Sequence, residues 1–109
     1  MTPTEALQML DLRVGRITRT EPNDAARKPA YKLWIDFGSM GSRTSSAQLT
    51  DLYQPEDLNG RLVIAAVNLG ARTIAGFVSD VLVLGLPDEA GRVVLLAAER
   101  EVPLGGRVY

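Results

Sequence analysis

Two groups of polar side chains have the types and spacing to do chemistry. Arg43-Thr44-Ser45-Ser46-Ala47-Gln48 carries hydroxyls and an amide where a core strand would carry aliphatic residues. Small polar residues on a strand offer donors and acceptors and let a ligand backbone come close, so Arg43, Ser45, Ser46 and Gln48 are candidate contacts. The competing reading is a polar edge strand guarded against pairing. The second group is Asn68, Arg72 and Ser79. An Arg beside an Asn and a Ser holds an anion through charge-assisted bonds while the neutral groups reach hydroxyls of the same ligand. A solvated loop with a turn-forming Asn is the alternative there.

Catalysis is poorly supplied. The 109 residues include no His and no Cys, which removes the usual general base, the thiol nucleophile and the commonest metal ligands. Asp36, Asp51, Asp57 and Asp80 are dispersed without paired spacing, and Ser45 and Ser46 have no His or Lys placed to activate them. No Asp-rich loop offers an oxygen cage to a cation. The sequence predicts a binding module with no cofactor and no metal, not an enzyme.

Charge is uneven. The net value is −1, but Arg13, Arg16, Arg19, Arg27, Lys28, Lys32 and Arg43 meet only Glu21, Asp24 and Asp36 in their stretch. That segment carries +4 and leaves −5 elsewhere, so its cations read as peripheral steering or as a solvated face. A 46% hydrophobic fraction is ordinary for a globular domain and argues against disorder. No apolar run approaches the ~20 residues of a membrane-spanning helix, and the amino terminus has no basic-then-apolar leader pattern, so a cytoplasmic domain without membrane contact is expected.

The elements that must position these residues are short. Thr2-Pro3-Thr4-Glu5 has the spacing of a capping box, opening a helix of about two turns over Ala6, Leu7, Met9 and Leu10. From Leu12 the period becomes that of a strand, with Gly15 interrupting it as a bulge or tight bend would. Glu21 to Asp24 reads as a turn. Tyr31, Leu33, Ile35 and Phe37 point one way while Lys32, Trp34 and Asp36 point the other. The polar strand at Arg43–Gln48 follows, then helical turns at 50–53 and 55–58. Further strands are expected at 61–67, 78–84 and 93–97, with Asn68 to Arg72 as a loop. The first five strands, with a helix after the third and additional extended segments beyond, follow the plan of a Greek-key oligonucleotide/oligosaccharide-binding (OB) barrel. A small SH3-like barrel is the alternative, but it needs no helical insert. The expected division is a helical extension over 1–11, an all-β OB barrel over 12–100 and a carboxyl-terminal extension over 101–109.

Longer stretches carry a resemblance. Leu10-Asp11-Leu12-Arg13-Val14-Gly15-Arg16-Ile17 resembles the opening of the tRNA-binding domain that occurs alone or fused to aminoacyl-tRNA synthetases. Lys32 to Gly38, Arg43 to Gln48, Val67-Asn68-Leu69, Arg72 to Ser79, Val81 to Gly85 and Val102-Pro103-Leu104-Gly105-Gly106 together resemble the bacterial CsaA proteins. The resemblance runs from Leu10 to the carboxyl terminus.

It implies a cytoplasmic homodimer, described as an export-related chaperone, that also binds tRNA. It implies that Arg43, Ser45, Ser46, Gln48, Asn68, Arg72 and Ser79 face the tRNA. Recognition of folded RNA by shape, through backbone and 2′-hydroxyl contacts, fits a chain with so few aromatics. A chaperone reading gives Trp34 and Phe77 to unfolded or precursor polypeptides, as apolar side chains near the cleft. The apolar faces of the first helix and the tail are expected at a two-fold contact or folded back on their own barrel.

Overall fold

Alternating burial decides the first half of the fold. Strand β1 (Leu12–Pro22) turns Ile17 into the core and β2 (Tyr31–Asp36) does the same with Tyr31, Leu33 and Ile35, while Leu12 and Val14 are buried on the other face of β1, where the carboxyl-terminal tail runs. The computed structural model describes every residue from Met1 to Tyr109. A 3-10 turn at Gly38–Met40 leads into β3 (Ser42–Ala47), and a one-turn helix, α2 (Pro55–Leu58), plugs the barrel with the fully buried Leu58. Strand β4 (Leu62–Ala66) buries Val63, Ala65 and Ala66.

These strands and β7 (Leu82–Val83) form one antiparallel sheet in the order β3-β2-β1-β4-β7. The sheet curls until its two edges meet. There the amides of Asp80 and Val81 donate to the Thr44 carbonyl, at 2.8 and 3.1 Å. The result is the expected all-β OB barrel around Ile17, Leu33, Ile35, Phe37, Leu58 and Val63.

Gly15 is not a bulge. It lies in register opposite Val63, and the register breaks instead between Ile17 and Arg19. The glycine is needed for close approach, because a Cβ there would sit 2.6 Å from Ile35 and 2.8 Å from the Phe37 ring. A second departure has more bearing on function. The strand expected at 78–84 is divided: β5 (Arg72–Ile74) and β6 (Phe77–Ser79) make a separate hairpin before β7 begins. Its turn residues, Ala75 and Gly76, have φ of 50° and 80°, the pair of positive values that a tight hairpin turn requires. Strands β8 (Gly85–Pro87) and β9 (Val93–Leu95) form another hairpin, and the turn expected before α2 is closed by the Tyr53 amide donating to the Leu49 carbonyl at 3.3 Å.

The carboxyl-terminal tail is tied to β1, and the amino-terminal helix is tied to Asn68 and to the tail's Arg107. Helix α1 (Pro3–Met9) has its Thr2–Glu5 capping box but buries none of its residues. The tail runs back along β1, with Gly105 and Val108 amides donating to the Val14 and Leu12 carbonyls at 2.8 and 2.9 Å. Asp11 joins the two ends, pairing with Arg13 at 2.7 Å and Arg107 at 3.7 Å.

Candidate functional site

The outward side of β3 lies between two projecting segments, the loop after β1 and the β5–β6 hairpin. The hairpin is tied to β3 by two bonds: Thr44 Oγ1 donates to the Val78 carbonyl at 2.7 Å, and the Ser46 amide donates to Ser79 Oγ at 2.9 Å. Asn23 Nδ2, in the loop, reaches the Ile74 carbonyl at 3.4 Å. Between these walls runs a groove in two parts. The larger, of ≈ 550 Å³, has an alanine-rich wall (Ala25, Ala26, Ala30), with Ser46, Gln48, Arg27 and Lys28 supplying its polar lining. The smaller, of ≈ 280 Å³, is lined by Arg72, Ser79, Asp80, Leu69 and Gly70. Ser46 and Ile74 border both parts.

The seven residues singled out from the sequence therefore separate. Ser46, Gln48, Arg72 and Ser79 meet in the groove. Arg43 is half-buried against Asp80 at 3.2 Å, so its charge is met within the barrel. Asn68 serves the amino-terminal extension: it accepts from the Asp11 amide at 2.9 Å and donates to the Met9 carbonyl at 2.8 Å.

Ser45 is a correction. It faces the core at 1% exposure, and its hydroxyl has no hydrogen-bond partner, so it cannot reach a ligand. It is small because the inward side of β3 lies against the packed barrel. Since a buried unpaired hydroxyl is unfavourable, Ser45→Ala is expected to leave the fold intact and raise stability by about 1 kcal/mol. Chemical denaturation checks this. A loss of stability would mean that the hydroxyl has a partner after all.

Sequence reasoning gave Arg27 and Lys28 only a steering role, yet both line the groove. The signal was there in Ala25-Ala26-Arg27-Lys28-Pro29-Ala30, where small residues leave room for a ligand beside two cations. Arg27, Lys28 and Arg72 are all exposed, and none is paired with a carboxylate. The groove thus presents three free positive charges above a floor of hydroxyl, amide and methyl groups. Such a lining suits an extended polyanion whose sugars can lie against small side chains.

Trp34 and Phe77 come together on the same outer surface, ring centroids 5.4 Å apart and edge to face at 70°. The Arg19 guanidinium lies 4.6 Å from the Trp34 centroid, and Lys32 Nζ lies 5.5 Å from that of Phe77. The groups with shifted pKa values do not carry the groove's charge. Burial foremost, then Glu56 and Asp57, pushes the Tyr31 phenol up, and it donates to the Tyr53 carbonyl at 2.8 Å. The Arg92 amide foremost holds the Asp88 carboxyl below its usual range, in the β8–β9 hairpin.

Comparison with known proteins identifies the family and the fold. Residues 12–107 match the family model described as "Putative tRNA binding domain". A crystal structure of the chaperone CsaA from Bacillus anthracis is 45% identical with a TM-score of 0.89, covering 100% of this chain and 99% of that one. The CsaA chaperone protein from Picrophilus torridus is 39% identical with a TM-score of 0.92, covering 100% of both chains. Among curated proteins, the methionine–tRNA ligase of Methanocaldococcus jannaschii is 32% identical over 102 residues, which is 94% of this chain but 15% of the ligase.

Proposed function

The chain belongs to the tRNA binding domain family, and from that premise we propose that it binds folded tRNA, with the sugar-phosphate backbone lying in the groove between the loop after β1 and the β5–β6 hairpin. The observation that carries this reading is the set of three unpaired cations, Arg27, Lys28 and Arg72, around Ser46, Gln48 and Ser79. Arg and Lys hold phosphates, and the hydroxyl and amide groups take 2′-hydroxyls. Recognition is by shape, since Trp34 and Phe77 pack on each other and leave no row of free rings for stacking unpaired bases. The module is non-catalytic and works in the cytoplasm, where tRNA is. It spans 15% of the methionine–tRNA ligase from M. jannaschii, and aminoacylation is no part of this proposal.

A salt titration with folded tRNA tests it. The observed affinity should fall with a log–log slope of about −2 to −5, as a few neutralised phosphates require. A flat salt response, or equal binding of an unstructured RNA, would defeat the proposal.

A second reading, a chaperone for unfolded or precursor polypeptides, is supported by the two similar structures named as chaperones. Competition separates the two activities. Folded tRNA that displaces an unfolded peptide places both ligands in one groove, while independent binding gives the peptide a surface of its own.

Assembly as a homodimer belongs to the same proposal. Helix α1 buries nothing and leaves Leu7 and Met9 at 46% and 62% exposure, with Leu7 beside Val108 and Tyr109 of the tail. A helix of seven residues does not hold its shape in water unaided. A second copy of the same face would cover it and set two grooves side by side. Light scattering should give twice the 11.8 kDa chain mass, and deleting residues 1–10 should shift the protein toward monomer and weaken tRNA binding in parallel. A mass of 11.8 kDa for the intact chain at micromolar concentration would reject the dimer.

A further inference from the structure

The β5–β6 hairpin carries Arg72 and Ser79 but contributes little to the core. It includes none of the fully buried residues, and its turn residues Ala75 and Gly76 are exposed. Something must hold it at the right height above β3, because an Arg on a swinging hairpin would be a weak phosphate ligand. The two hydrogen bonds from β3 fix its outgoing strand only in part, as they engage Val78 and Ser79 and neither reaches Phe77 beside the turn. The long bond from Asn23 Nδ2 to the Ile74 carbonyl, at 3.4 Å, adds little, and the other contact is aromatic. Trp34, pointing outward from β2, meets the edge of Phe77, the first residue after the hairpin turn. Arg19 covers Trp34 and Lys32 lies over Phe77, which extends the stack to four side chains on the outer face of the barrel. Phe77 is the register partner of Ile74, which borders both parts of the groove.

We infer that Trp34 and Phe77 form a clasp that positions the β5–β6 hairpin, so that the two rings serve the site by aiming Arg72 and Ser79 instead of touching a ligand themselves. The inference rests on the groove being the tRNA site, and it assigns to positioning the two residues that the chaperone reading would give to polypeptide. Edge-to-face ring pairs are strong enough to bias a short surface hairpin between docked and loose states.

The test is a double-mutant cycle of Phe77→Ala with Arg72→Ala, read by tRNA affinity and by its salt slope. Phe77→Ala removes no charge. It should nevertheless lose about tenfold in affinity, the scale of one charge-assisted contact, and lower the salt slope by about one, as Arg72→Ala does. In the Arg72→Ala background it should cost little more, and Phe77→Tyr, which keeps the ring, should bind like the wild type. A ring that touches RNA directly would instead give additive losses with an unchanged slope, and that result would overturn the clasp.

Two readouts need no RNA. Trp34 is the only tryptophan, so its emission should shift in Phe77→Ala. Exchange of the Ser46 amide, which is bonded to Ser79 Oγ, should speed up in both Phe77→Ala and Trp34→Val. Unchanged emission and unchanged exchange would also overturn it. If the wild type binds no tRNA, the groove reading falls, while emission and exchange still decide whether the clasp holds the hairpin.

Discussion

Replacing Arg27, Lys28 and Arg72 together by Ala is expected to cut tRNA affinity by roughly a hundredfold or more near physiological salt and to flatten the salt slope by about 2 to 3. The three residues come from opposite walls of the groove and have no carboxylate partners to release, so their loss should leave stability within about 0.5 kcal/mol of the wild type. By contrast, Arg43→Ala breaks a half-buried pair with Asp80 beside the barrel seam. Its first effect should fall on stability, with only a secondary one on binding. Fluorescence titration at several salt concentrations, beside a denaturation curve for each variant, separates the two kinds of change. Equal loss of affinity from Arg43→Ala without loss of stability would move the site toward Asp80 and away from the loop after β1.

The largest expected effect on stability lies at the contact between Phe37 and Gly15. Phe37 is fully buried, and its ring occupies the space where a Cβ at position 15 would lie, 2.8 Å from the ring edge. Phe37→Ala is expected to cost about 3–5 kcal/mol, from lost burial and the cavity left behind. Gly15→Ala should cost about 1–3 kcal/mol through overpacking, although alanine suits the backbone there better than glycine does. The two sites touch, so their effects should not add. Gly15→Ala combined with Phe37→Leu should be less destabilised than the sum of the two single changes, because the smaller side chain makes room for the new methyl. Chemical denaturation of the four proteins measures this coupling. Strict additivity would mean that Ile35, whose Cγ2 would lie 2.6 Å from the same Cβ, sets the cost in place of the ring.

The barrel was legible in the sequence where side chains alternate. Tyr31, Leu33, Ile35 and Phe37 could be assigned to one face because a strand inverts its side chains at every residue, and all four are buried. The capping box at Thr2–Glu5 was legible for a similar local reason. The β5–β6 hairpin was not. Its strands have three residues each, too few to show a period, and its turn uses Ala75 where Asn or Asp would have announced a positive φ. Gly15 misled because a glycine required by a ring across the sheet looks the same in sequence as one required by a bulge.

The site was legible by residue type but not by partner. Ser46, Gln48, Arg72 and Ser79 meet in the groove, whereas Ser45 turns inward by the same alternation that turns Ser46 outward. Asn68 and Arg43 are engaged by Met9, Asp11 and Asp80, partners at least 37 residues away that no local pattern reveals. Arg27 and Lys28 became visible as lining only when the loop after β1 was set against the hairpin.

The most direct test of the central claim is to follow the backbone amides of the intact protein by NMR as folded tRNA is added. Perturbation and broadening should concentrate on residues 25–28, 46–48 and 69–79, around the groove of ≈ 550 Å³ and its smaller continuation. The β8–β9 hairpin should be left unaffected. Changes confined to helix α1 and the tail, or to β8–β9, with the loop after β1 silent, would contradict the account.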